Sequence, residues 1–223
     1  MKLVHEEWRQ SIEFPDGGIR VLQIEDATYF SKVIQEFIDQ SKTGEGKFVL
    51  SDGDKILDFT QTVDFIFSPF VLNFENKKFI TGIVKQLQEI AQEEEYMETQ
   101  NISGEVFRYL YRLLDYMDVD VKLNDELDIQ QLLLKVAGLH LVRDEGNLLE
   151  CLTEYLFLSH KLLNTKLIVG VNFETYFSDD QLALLENTVI YGKISLLLLE
   201  NKAKYGIINK WTGLIIDKDL CEI

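Results

Sequence analysis

Apolar residues along this chain recur with two different periods, and the switches between them mark out its elements. Phe30, Val33, Ile34, Phe37 and Ile38 fall at i, i+3, i+4, i+7 and i+8, which predicts a helix over Ala27 to Gln40 with one buried face and Asp26 as its cap. Phe79, Ile80, Ile83, Val84, Leu87, Ile90 and Ala91 predict a longer helix, acidic at its end from Glu89 to Glu98. A second helix is expected after Ser103 on Val106, Leu110, Leu113, Leu114 and Met117. A short helix from near Asp128 to Gly138 and a long one from Glu145 to Leu163 follow.

Two segments differ in kind. Lys166 to Asn172 and Ile194 to Glu200 are apolar without alternation, as strands buried on both faces are. Between them Ser178 and Gln181 form a capping-box pattern that opens a helix, so the stretch reads as a β-α-β unit with parallel strands. Further strands are expected at Phe48 to Leu50, Thr62 to Phe67 and Leu214 to Ile216. Ser11 to Phe14 and Ile19 to Ile24, with turn chemistry at 15–18 between them, read as a hairpin. The fold class is therefore α/β, with a sheet that contains parallel strands. Residues 1–74 and 135–223 form a discontinuous head domain, and 75–134 form a helical hairpin inserted into it.

Length and composition agree with one α/β domain carrying a subdomain: the chain has 223 residues, 46% of them hydrophobic, and its two prolines, Pro15 and Pro69, mark no linker. The opening residues are charged where a signal peptide would be apolar, no apolar run is long enough for a bilayer, and the two cysteines share no motif. A cytoplasmic protein with no membrane partner is expected.

Charge changes the picture more. With 38 acidic residues against 22 basic, the formal charge is −16, so this is no ordinary nucleic-acid binder working through a basic face. Any contact with DNA must be local, made by lysines that oligomerisation gathers or by divalent cations that neutralise carboxylates. Lys42, Lys47 and Lys55, and Lys77, Lys78 and Lys85, form two loose clusters that on their own read as solvated surface.

A parallel sheet invites a search for nucleotide-hydrolase parts, and they are missing. Gly44 to Lys47 lacks the phosphate-loop spacing and precedes a strand, and the strand ending at Asn172 offers no aspartate for magnesium. Leu199 to Lys202 places Glu200 and Lys202 in an E-x-K arrangement at a strand end, which suits a divalent-metal nuclease if a second carboxylate is near. Asp179 and Asp180 are the closest in sequence, but the capping box puts them in a first helical turn. His5, His140 and His160 follow no ligand or catalytic spacing, and Cys151 falls within a helix as a core thiol does. The acidic stretch from Asp115 to Asp128, offset by Lys122, suits calcium chemically without being an EF-hand.

The ordered set of these segments resembles the Csn-two family of CRISPR-associated proteins from type II-A systems. The likeness rests on the acidic stretch from Asp118 to Glu126, Leu132 to Leu141, the helix over 145–163, Lys166 to Asn172, the Ser178 helix and Ile194 to Glu200. The N-terminal strand, the helix on Phe30 to Ile38 and the strand from Val63 to Phe67 follow in the same order. The resemblance implies a head shaped like a P-loop hydrolase without the nucleotide site, and an inserted helical leg. It implies a non-enzymatic, ring-shaped homotetramer that binds Ca2+ and holds double-stranded DNA by its ends, supporting spacer acquisition alongside the CRISPR integrase and effector nuclease. It assigns the calcium ligands to Asp118, Asp120, Asp125 and Glu126. Lys47, Lys55, Lys77 and Lys78 are placed at the DNA by position.

Overall fold

A computed structural model describes the chain except residues 15–16, 75–76, 118–120, 124–126, 143–145 and 203–209, and the side chain of Thr212. The chain divides into two compact units, Met1–Phe74 with Asp144–Ile223, and Glu75–Arg143.

The first unit begins with β1 (Lys2–His5), β2 (Ile12–Glu13), β3 (Gly18–Ile24), α1 (Ala27–Thr43), β4 (Phe48–Asp52), β5 (Lys55–Ile56), the single turn α2 (Phe59–Thr62) and β6 (Val63–Ile66). The second holds α3 (Lys77–Gln92), α4 (Tyr96–Leu114) and α5 (Ile129–Gln131), the last running into a π-helical turn over Leu132–Val136. The first unit resumes with α6 (Leu148–Leu162), β7 (Leu167–Val171), α7 (Asp179–Tyr191), β8 (Ser195–Glu200) and β9 (Thr212–Ile216).

Five strands form a parallel sheet in the order β6-β7-β8-β3-β9. Its two central strands are the unbroken apolar runs, and every residue of β7 and β8 is buried. Helix α7 connects them, giving the expected β-α-β crossover. Ser178 accepts from the Gln181 N–H while the Gln181 side chain accepts from the Ser178 N–H, a complete capping box. Asn147 and Glu150 do the same for α6, which starts at Leu148.

The N-terminal hairpin expected around residues 15–18 does not form. β2 pairs antiparallel with β1, whereas β3 lies parallel between β8 and β9. The reason is burial: six of the seven residues of β3 are buried, so it belongs inside the large sheet, and an edge hairpin would leave one of its faces in water. A second, antiparallel sheet in the order β2-β1-β4-β5 results.

The two sheets share one core through α1. Asp26 caps it by accepting from the Tyr29 N–H at 2.7 Å, and Gly44, at φ 78, ends it with a left-handed turn whose N–H reaches the Gln40 carbonyl. Phe30, Val33 and Phe37 are its buried apolar face. They join Leu3, Phe48 and Leu50 from the small sheet and Leu22, Val169, Leu197 and Leu199 from the large one in a single cluster.

In the second unit, α4 starts at Tyr96, seven residues before the expected start at Ser103, and runs through Gly104. Glu98 in its first turn favours the positive helix end and offsets the glycine. No residue of α4 is buried, and Tyr96, Met97, Ile102, Tyr109, Tyr111 and Leu113 are exposed. Among the described residues, no helix is long and apolar enough to cross a membrane.

Candidate functional site

In α/β proteins with parallel strands, ligands bind beyond the carboxyl ends of those strands. Here, among the described residues, side chains at that edge tie the strands to one another. Asn172, just after β7, adopts a left-handed φ of 52, and its Oδ1 accepts from the Asn201 N–H at 3.1 Å. The Asn201 Nδ2 in turn donates to the Ile24 carbonyl at the end of β3 at 2.8 Å. Two amides thus clamp the ends of β7, β8 and β3 to one another. Glu200 is 1% exposed and accepts from the backbone N–H of Glu174, itself 3% exposed, at 3.2 Å. Gln23, opposite Glu200 across the β3–β8 ladder, donates to Glu25.

The E-x-K arrangement is divided by burial: Glu200 lies inside while Lys202 is exposed, and Asp179 and Asp180 are exposed in the first turn of α7. Among the described residues, no three His, Cys, Asp or Glu side chains come together as a metal would require.

The run from Gly44 to Lys47 is a turn from α1 into β4, held by Gln40. Its Nε2 donates to the Phe48 carbonyl at 2.6 Å and its Oε1 accepts from the Phe48 N–H at 2.8 Å, so one buried side chain pairs with β4 as a strand would. Lys47 forms ion pairs with Glu7 and Glu36, and Glu7 also receives Lys32. Beneath this network His5 is 1% exposed, packed against Trp8 and Phe48. Its Nδ1 accepts from the Glu7 N–H at 3.2 Å, which fixes the ring hydrogen on Nε2, and Nε2 donates to Glu36 Oε2 at 3.0 Å.

Burial holds the His5 pKa below its ordinary value of 6.5. Hydrogen bonds from Lys47 first, then Lys32, hold Glu7 down to about 2. Between pH 6.5 and the lowered folded value, the unfolded chain takes up a proton at His5 that the folded chain refuses, so stability falls as pH falls through that window. We expect His5→Gln to flatten this part of the pH dependence of the unfolding free energy, measured by denaturant titration. An unchanged slope would show that His5 does not carry it.

Of the other lysines, Lys55 is exposed on β5, and Lys77 and Lys78 are the first two residues of α3, both exposed. The expected calcium ligands Asp118, Asp120, Asp125 and Glu126 lie outside the described residues. Of their flanking acids, Asp115 caps the end of α4 and Asp128 caps α5, accepting from the Gln131 N–H at 3.0 Å.

The profile of the CRISPR-associated protein family Cas_Csn2 matches residues 40–220. The chain belongs to the Cas_Csn2 family. No curated protein matches it significantly. As a Cas_Csn2 protein it is CRISPR-associated, and the match spans four of the five parallel strands, β6, β7, β8 and β9, as well as α3 to α7. Sequence reasoning missed two features of this Cas_Csn2 chain: the burial of Glu174 and the pairing of His5 with Glu36. Both join residues 26 or 31 positions apart, a distance at which no local pattern reports contact.

Proposed function

We propose that this Cas_Csn2 chain acts by binding: four copies assemble into a ring, stabilised by calcium, that holds the ends of linear double-stranded DNA through phosphate contacts without cutting it. The ring supports spacer acquisition in the cytoplasm, in company with the integrase and effector nuclease of a type II-A system. Family membership is the observation that carries this reading.

The exposed aromatic and aliphatic residues of α4 support association, because an apolar surface of that extent on a helix with no buried residue favours contact with further copies. Lys77 and Lys78 sit at the positive end of the α3 dipole, where cations are disfavoured by roughly 0.3–1 kcal/mol each. A DNA phosphate at that helix end would be welcomed by the lysines and the dipole together. Lys55 is exposed and suited to the same role, whereas the two carboxylates on Lys47 already neutralise it. The head is read as a P-loop-like sheet without its nucleotide site, the amide clamp of Asn172 and Asn201 occupying the carboxyl edge. Asp118, Asp120, Asp125 and Glu126 would supply the hard oxygen ligands that calcium takes, holding the ion as a structural charge.

The test is solution mass with and without a calcium chelator, combined with retention of linear and circular duplex. A calcium-dependent tetramer that retains linear DNA uncut, with a steep loss of affinity as salt rises, is the expected result. Lys77→Ala with Lys78→Ala should weaken retention by about tenfold or more, and Lys47→Ala by less than about twofold. DNA cleavage abolished by Glu200→Ala would instead establish the divalent-metal nuclease using Glu200 and Lys202.

A further inference from the structure

The amino-terminal edge of the parallel sheet has the opposite character from its carboxyl edge. There a cavity of about 340 Å³ is lined by Lys166, Lys193, His160, Ser195 and Phe14, with Asp52 as its acid. Lys166 immediately precedes β7, Lys193 stands two residues before β8, and Ser195 opens β8, so the parallel sheet itself brings them together. Lys32, Lys47, Lys85 and Lys210 are each paired with a carboxylate. Among the described residues, neither Lys166 nor Lys193 lies within ion-pair distance of one. In a chain of charge −16, two such ammonium groups at one cavity are conspicuous. An adjoining hollow that shares Phe14 adds Arg20 and Lys2.

The end of α7 fixes where Lys193 stands. Lys193 holds a left-handed φ of 52 as the residue that ends α7, its N–H reaching the Ile190 carbonyl and the next N–H, of Ile194, reaching the Val189 carbonyl. Gly17, at φ 90, lies so close that a Cβ would stand 2.8 Å from the Lys193 Cα, so the position takes only glycine. His160 is held on the cavity wall by its Nδ1, which donates to the Thr165 carbonyl at 3.0 Å.

We propose that this cavity binds a phosphomonoester, with Lys166 and Lys193 neutralising the dianion and the Ser195 hydroxyl donating a hydrogen bond to it. A terminal phosphate suits a concave site of two ammonium groups better than a diester does, because it presents two charges and only one chain leads away. The volume exceeds that of a phosphate ion and falls in the range of small-ligand sites, leaving room for an attached nucleoside beside Phe14. Free nucleotides and the 5′ ends of DNA strands share this chemistry. The inference does not depend on the duplex-binding ring.

Calorimetric titration of the full chain with inorganic phosphate, and with a dinucleotide carrying or lacking a 5′-phosphate, tests it. Saturable phosphate binding is expected, about tenfold or more weaker in Lys166→Gln/Lys193→Gln and weakened again by Ser195→Ala, with circular dichroism unchanged. Stronger binding of the 5′-phosphorylated dinucleotide than of phosphate assigns the site to a nucleotide or strand end; equal binding assigns it to the free anion. Binding that does not saturate, or that the folded double variant retains in full, overturns the proposal. Loss of duplex retention by the protein with phosphate binding intact would overturn the ring reading and leave this one standing.

Discussion

Replacing Phe37 with alanine is expected to lower the unfolding free energy by about 3–5 kcal/mol, the largest effect of any single core truncation in α1. Phe37 is fully buried, stacks on Phe48 with ring centroids 3.9 Å apart, and lies within 6.1 Å of Phe59 and 6.0 Å of Phe65. Those rings come from β4, α2 and β6, so the side chain joins the small antiparallel sheet to the parallel one. Removing it takes away the transfer energy of a whole aromatic ring and leaves a cavity that neither sheet can close without moving. Phe37→Leu, which keeps part of the volume, should cost markedly less. Urea titrations at fixed protein concentration supply the comparison. A loss below about 1 kcal/mol for the alanine variant would mean that the two sheets do not share a core at this point.

What the sequence makes legible, and what it hides, follows from the range of the interactions involved. β7 and β8 can be read directly, because a strand with neighbours on both faces has no polar face to alternate with. The Ser178 cap is equally local: both of its hydrogen bonds close within three residues. The pairing of β2 with β1 is different. Turn-forming residue types at 15–18 suggest a hairpin, and nothing nearby says that Ile12 and Glu13 pair with residues 2 and 3 while β3 joins residues 195–200. The start of α4 was hidden for the opposite reason, since Gly104 and Ser103 look like a boundary while the apolar positions that continue before them, at Tyr96, Met97 and Ile102, face solvent in the chain alone. The lysines divide in the same way. Lys47 and Lys55 look alike in sequence, yet Lys47 is neutralised by Glu7 and Glu36, which lie 40 and 11 positions away.

The same logic predicts a strong effect at Gly170, near the carboxyl end of β7. Glycine inside a strand is ordinarily less favourable than alanine by roughly 0.5–1 kcal/mol, so substitution there should stabilise unless something occupies the space. Something does: a Cβ on Gly170 would stand 2.6, 2.7 and 2.8 Å from three ring carbons of Phe173, which is itself fully buried. The ring lies back over the strand it has just left, and this fold-back begins the turn over Phe173–Thr175 that aims the Glu174 N–H at Glu200. Gly170→Ala is therefore expected to destabilise by about 1–3 kcal/mol despite its better strand propensity, and Gly170→Val by more. The clash identifies its own remedy. If the ring is the obstacle, Phe173→Leu combined with Gly170→Ala should be less destabilising than the sum of the two single changes, a coupling that denaturant titration of all four chains reads as a double-mutant cycle. Additive losses would place the obstacle elsewhere. A Gly170→Ala chain as stable as the parent would show that the carboxyl end of β7 yields readily, and with it the amide clamp and the buried Glu200 would lose their claim to rigidity.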